Sequence, residues 1–305
     1  MREAPAQRVR GGPGRRKAAA PESRNIKNIK RKKHTIMQLY THSLPSGAKL
    51  TGYLRDETTE MPAFNTRPAM LILPGGGYAY CSAREADPVA MQFLQAGYQT
   101  FVLEYTCART PEQAPLRWQP LTDAAGAILH LRRNAAKLRI DPFKIAVCGF
   151  SAGGHLAAST AILWDAEPVQ KALGITAEEA RPDAVVLGYP VITAGEKAHR
   201  GSIENLAGGD AALQAAFSLE NQVRGDLPPF FIWHTVADQA VPVENSLMLA
   251  SALTENHVPY ELHLFTHGGH GSSTCTNEVN TPNRHNAAWV PLCTDWLAET
   301  LNFHL

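Results

Sequence analysis

Gly149-Phe150-Ser151-Ala152-Gly153-Gly154 follows a short apolar run, Ile145 to Cys148, and precedes a stretch of small residues, His155 to Trp164, suited to a helix. A serine with glycine two positions before and two positions after it, set between a strand and a helix, marks a turn so sharp that the helix passes against the strand it has just left. Bulk at 149 or 153 would collide there. A lone G-x-S-x-G carries little weight, but here the flanking strand and helix are both in place. Ser151 at the apex is a candidate nucleophile. As a free alcohol it is inert, and it needs a base within hydrogen-bond reach and an acid to orient that base.

Working outward, Ala69 to Leu73 is apolar at every position, as expected of a central strand covered on both faces, and it runs into Pro74-Gly75-Gly76-Gly77-Tyr78. Further strands are expected at Thr100 to Tyr105, Ala184 to Gly188, Phe230 to Trp233 and Glu261 to Phe265. Met37 to Thr41 and Lys49 to Leu54 alternate in polarity around the turn residues Pro45-Ser46-Gly47 and read as an antiparallel edge. Helices are expected at Asp87 to Ala96, Val243 to Asn256 and Ala287 to Leu301. Another carries the stripe Leu121, Ala124, Ile128, Leu131, Ala135 and Leu138, with Asp141-Pro142 breaking it. Strands alternating with helices imply a largely parallel sheet with helices on both faces. Residues 191–229 interrupt the alternation, with Glu204 to Gln222 read as helical. This small insertion before the strand at 230 is either a lid or a long crossover.

At 305 residues and 44% hydrophobic, the chain can build one large core. Its net charge of +1 is unevenly spread. Residues 1–36 hold twelve Lys or Arg against two acids, a net +10, which leaves −9 for 37–305. The first segment is expected to be a disordered basic extension, and a start codon placed too far upstream, with Met37 the true initiator, would account for it. The acidic body argues against a nucleic-acid partner, and no apolar run reaches membrane-span length. Five scattered cysteines without C-x-x-C spacing fit reduced thiols in a cytoplasmic protein rather than a disulfide framework or a metal site. No motif calls for a metal or organic cofactor, since the glycines at 75–77 lack dinucleotide or phosphate-loop spacing.

The partners of Ser151 are sought on loops that follow strands, in the order serine, acid, histidine. After Phe230 to Trp233 comes His234-Thr235-Val236-Ala237-Asp238, which makes Asp238 the candidate acid, with capping of the next helix as its alternative role. After Glu261 to Phe265 comes Thr266-His267-Gly268-Gly269-His270-Gly271, where two histidines compete for the base. The glycines around His270 would let its imidazole swing over Ser151, while His267 lies nearer the strand end. Donors for a developing oxyanion are expected from the backbone amides of Gly76, Gly77 and Ala152. His155 and His234 are read as structural or pocket-lining.

The stretches Leu73 to Tyr80, Cys148 to Ala158, Trp233 to Ser246 and Gly268 to Gly271 together resemble the esterase/lipase branch of the α/β-hydrolases, the branch that includes bacterial acetyl-xylan and feruloyl esterases. The resemblance covers roughly residues 37 to 301. It implies the α/β-hydrolase fold, with Ser151 as nucleophile, Asp238 as acid, His270 rather than His267 as base, and the amides at 76–77 in the oxyanion hole. Pro74 stands where the related hormone-sensitive-lipase group usually has His, which favours the carbohydrate-esterase side. The implied reaction is hydrolysis of a short acyl ester, acetyl foremost, on carbohydrate such as xylo-oligosaccharides. The alternatives are an amidase, formamidase or peptidase with the same triad, and an inactive hydrolase-fold binding protein. Tyr78, Tyr80, Trp118 and Tyr189 are candidates for a sugar-contacting rim or, equally, for core. Oligomeric state is left open, a homo-oligomer included.

Overall fold

The computed structural model describes residues 37–175 and 177–305, so the expected disorder of 1–36 lies outside the described residues. In chain order the strands are β1 (Met37–Ser43), β2 (Lys49–Arg55), β3 (Arg67–Leu73), β4 (Gln99–Glu104), β5 (Ile140–Phe150), β6 (Ala184–Gly188), β7 (Phe230–Thr235) and β8 (Tyr260–Phe265). They form one sheet of order β1-β2-β4-β3-β5-β6-β7-β8. β1, β2 and β4 pair antiparallel, and every pairing from β4 through β8 is parallel. The helices are α1 (Asp87–Gln95), α2 (Gln119–Arg133), α3 (Ala135–Leu138), α4 (Ala152–Ile162), α5 (Glu167–Leu173), α6 (Arg200–Ala207), α7 (Ala211–Ala216), α8 (Glu244–Glu255) and α9 (Trp289–Thr300). This is the α/β-hydrolase architecture. No helix among the described residues is long and apolar enough to cross a membrane.

Side-chain alternation along the strands divides the core into two layers. Leu71, Leu73 and Val147 face one side, where Ile128, Leu156 and Leu249 from α2, α4 and α8 pack with them. Met70, Ile72 and Cys148 face the other side and meet Phe93 of α1 and Trp289 and Leu297 of α9. Because both faces are covered, β3 is buried along its whole length, which explains its unbroken apolar run.

Three expectations are corrected. The helix read through Leu138 ends at Arg133 and resumes as α3 after Asn134. Arg139, at φ 56°, reverses the chain, and Asp141-Pro142 belongs to the start of β5. Pro142 is tolerated there because the β3 register shifts between Arg67 and Ala69, which frees that stretch of β5 from ladder pairing. Glu204 to Gln222 is not one helix. α6 begins at Arg200, Gly208-Gly209 ends it, and Asp210 starts α7 by accepting from the amides of Ala212 and Leu213. α5, opened by Glu167-Pro168 and closed by Gly174 at φ 63°, was not anticipated.

The contact that positions everything else is between β5 and α4. A Cβ on Gly153 would overlap the carbonyl oxygens of Leu73 and Pro74, and one on Gly149 would overlap the carbonyl of Gly153. The obstacles are backbone atoms of buried elements and have no room to yield. Gly153→Ala is therefore expected to destabilise the fold by roughly 3 kcal/mol or more, measured by urea denaturation. A loss under about 1 kcal/mol would show that the turn relaxes around the added methyl.

Candidate active site

Ser151 sits between β5 and α4 at φ 54° and ψ −121°, a left-handed conformation that non-glycine residues seldom adopt. The strain is held by three backbone bonds. Ser151 N–H donates to Gly188 O (3.0 Å), and Ser151 O accepts from His155 N (3.0 Å) and Val191 N (3.1 Å). The end of β6 and the chain beyond it thereby clamp the turn.

Asp238 follows β7 and is buried. Its Oδ1 accepts from the amides of Ala240 (2.9 Å) and Val241 (3.0 Å), and its Oδ2 lies 2.7 Å from His270 Nδ1. His270 Nε2 lies 2.8 Å from Ser151 Oγ. A carboxylate only accepts, so the proton between Asp238 and His270 belongs on Nδ1, which leaves the Nε2 lone pair free to accept the serine hydroxyl. Three residues separated by up to 119 positions thus form one continuous hydrogen-bonded line.

Burial acts to raise the Asp238 pKa. It is outweighed by the hydrogen bonds of His234 and His270, the charge of His270 and the Val241 amide, which together hold the carboxyl well below the usual carboxylate range. His234 is itself buried, with Nδ1 2.8 Å from Ser246 Oγ and Nε2 3.1 Å from Val241 O and 3.4 Å from Asp238 Oδ2. His155 is likewise enclosed, between Tyr78 Oη and Phe217 O.

The loop carrying His270 is fixed rather than swinging. Gly268 adopts φ 145°, where a side chain would run into Asn286 and Thr235. Thr235 Oγ1 donates to Gly268 O (3.0 Å) and Asn286 Nδ2 to His267 O (2.7 Å), while the His267 side chain faces solvent.

Gly76, Gly77, Ser151 and His270 line a cleft of about 240 Å³ together with Tyr80, Arg84 and His199. Gly75 brings the glycine loop against the turn: a Cβ there would lie 2.7 Å from Phe150 O and 3.0 Å from Ser151 Cβ. Ala152, the first residue of α4, puts its amide at the helix N-terminus, where backbone N–H groups have no intrahelical acceptor. A larger groove of about 710 Å³ shares Tyr80 with the cleft but is lined by neither Ser151 nor His270, so the hydrogen-bonded line of Ser151, His270 and Asp238 opens on the smaller space.

The four rim candidates separate. Tyr80 is 59% exposed at the cleft. Tyr78 and Tyr189, each 1% exposed, are core residues and not rim, because their hydroxyls are engaged within the protein. Trp118 is half-buried against Phe217, with ring centroids 4.8 Å apart, and does not line the cleft.

Tyr189 supports the site from beneath. Its ring meets that of His270 edge to face at 5.0 Å, and its hydroxyl donates to Glu85 Oε1 (2.7 Å) and accepts from Ser273 N (2.8 Å). The other Glu85 oxygen accepts from Gly75 N (2.8 Å). Burial pushes the Glu85 carboxyl up, opposed by those two hydrogen bonds. Glu85 and His199 went unread in the sequence. Glu85 stands ahead of α1 outside any motif, and His199 lies in residues 191–229, where the sequence shows no catalytic spacing.

Because the Asp238 pKa is depressed on folding, its contribution to stability is full above the unfolded value of about 3.9 and is lost as the pH falls below it towards the folded value. The stability advantage of wild type over Asp238→Asn is expected to narrow from about pH 5 to about pH 2 in denaturant titrations. A constant gap would mean that the carboxylate is not held by these partners.

The BD-FAE family model matches residues 59–253. The chain is 41% identical over 214 residues to an endo-1,4-beta-xylanase B from Butyrivibrio fibrisolvens, a match covering 70% of this chain and 33% of that protein. It is 31% identical over 211 residues to an acetylxylan esterase from Xylanibacter ruminicola, covering 67% and 40% respectively. The matches thus span well under half the length of these curated relatives. Among solved structures, an acetyl ester-xyloside bifunctional hydrolase from Caldicellulosiruptor lactoaceticus is 37% identical with a TM-score of 0.73, covering 86% of this chain and 91% of that one. Fold, motifs and these likenesses agree, and the chain belongs to the BD-FAE family of α/β-hydrolases.

Proposed function

We propose that the protein is a serine esterase that hydrolyses short acyl esters, acetyl foremost, on carbohydrate such as xylo-oligosaccharides. The observation that carries this reading is the line Ser151 Oγ, His270 Nε2 (2.8 Å) and His270 Nδ1, Asp238 Oδ2 (2.7 Å), opening on a cleft of about 240 Å³. The size suits a small acyl group. The names of the xylan-related relatives support carbohydrate as the alcohol portion.

In this reading His270 Nε2 takes the hydroxyl proton as Ser151 Oγ bonds to the ester carbonyl carbon. The carbonyl electrons move onto oxygen, facing the amides of Gly76, Gly77 and Ala152, donors that lose nothing to reorganisation. Asp238 stabilises the imidazolium. Collapse breaks the bond to the alcohol oxygen, which leaves with the proton from Nε2 and gives an acyl-Ser151 ester. Water, deprotonated by the same nitrogen, then releases the acid and restores the serine.

Turnover of p-nitrophenyl acetate is expected to fall by about 10⁴-fold in Ser151→Ala and by orders of magnitude in Asp238→Asn, with the fold retained in both. Equal, slow hydrolysis by wild type and Ser151→Ala would leave only an inactive hydrolase-fold binding protein. Initial rates on acetylated xylo-oligosaccharides, feruloyl esters and formylkynurenine are expected to rank the acetylated sugar first. A preference for formylkynurenine would replace the esterase by an amidase.

A further inference from the structure

One wall of the cleft takes no part in the steps above. His199 precedes α6 and caps it, with Nδ1 accepting from Ser202 N–H (3.3 Å) and lying 2.8 Å from Ser202 Oγ. An imidazole nitrogen that accepts a backbone amide carries no proton, so the neutral ring is protonated on Nε2. No acceptor for that proton occurs among the described residues, and the half-buried ring lines the same cleft as Ser151, His270 and Gly77. A Cβ on Gly77 would lie 4.0 Å from His199 Cε1, which puts the ring beside the glycine loop. Burial and the neighbouring His270 push its pKa down, opposed by Asp238, so the ring is neutral at pH 7.

The ring is also fixed in place. Asn245 Nδ2 donates to Lys197 O (2.9 Å), two residues before His199, and Asn205 Nδ2 ties α6 to Gly77 O (2.9 Å). His199 is therefore a preorganised, uncharged donor held in the same cleft as the nucleophile.

An acetyl ester offers two oxygens. The carbonyl oxygen is taken by the backbone amides, and the alcohol oxygen receives its proton from His270. The acetyl methyl accepts nothing, so a further donor fixed in the cleft is matched only by a third oxygen, one on the alcohol portion. We propose that His199 is a specificity-determining residue whose Nε2–H donates to an oxygen neighbouring the acylated one, the vicinal hydroxyl of a sugar. The inference rests on the esterase reading and names the residue that separates a sugar ester from a simple one.

The test compares kcat/KM for an acetylated xylo-oligosaccharide with kcat/KM for p-nitrophenyl acetate, whose alcohol portion has no such oxygen, in wild type and His199→Asn. Asparagine keeps an acceptor able to cap the Ser202 amide but loses the donor at the position of Nε2. The ratio of the two constants is expected to fall roughly 10- to 100-fold, mainly through KM for the sugar ester. An unchanged ratio, whatever happens to either rate alone, overturns the proposal. Wild type alone supplies a second arm that needs no folded variant: removing the neighbouring hydroxyl from the sugar ester is expected to lower kcat/KM over the same range, and indifference to it also overturns the proposal. Failure of the esterase reading is distinguishable, since wild type would then be no faster than Ser151→Ala on p-nitrophenyl acetate.

Discussion

The structure depends on one steric constraint, the approach of α4 to β5 and to the end of β3 at a distance that leaves no space for side chains at 149 and 153. Everything at the site inherits its position from that approach. It forces Ser151 into a left-handed conformation at the carboxyl end of β5 and places Ala152 at the N-terminus of α4 directly after it. The cost of such a backbone conformation, of order 1–3 kcal/mol, is sustained only because the surroundings over-determine it. The bonds from Ser151 to Gly188 and Val191, and the burial of β5 and α4, supply that over-determination.

A strained serine alone does nothing, and the remaining architecture delivers two more loops to it without slack. Asp238 is pinned by two backbone amides before it meets His270. The His270 loop is pinned by Thr235 and Asn286 before it meets Ser151. Glu85 joins the two halves of the site, with one oxygen on the Gly75 amide and the other on the Tyr189 hydroxyl, so that the glycine loop and the support of His270 share a single buried carboxyl group. Such prior fixing is what lets hydrogen bonds in a closed site act on a developing charge without reorganisation. His199, the residue of 191–229 that lines the cleft, belongs to this frame through the bonds of Asn205 and Asn245 to its neighbours.

Much of this was legible in the chain because strong local signals coincide with global ones. The apolar run at Ala69 to Leu73 reads as a strand buried on both faces, and β3 is one. The glycines around Ser151 leave few alternatives to a strand-turn-helix. What escaped reading depends on three-dimensional neighbours. Spacing alone leaves His267 and His270 both open and the resemblance points to His270; in the fold His267 faces solvent and His270 meets Ser151. Tyr78 and Tyr189 could as well have been rim as core, since an aromatic ring with one polar atom suits either, and the partners that bury them, His155 and Glu85, are 77 and 104 residues away. The end of α3 at Arg139 is a left-handed residue with no glycine to announce it.

In the proposed mechanism Ser151 becomes a nucleophile through the imidazole of His270 and carries the acyl group between two steps. Rapid acid quenching during turnover of an acetyl ester, followed by mass analysis of the peptide containing Ser151, tests it most directly. The peptide is expected to gain the mass of one acetyl group during turnover and to lose it once substrate is exhausted. An ester slow in its second step that is turned over with Ser151 never acetylated would contradict the account.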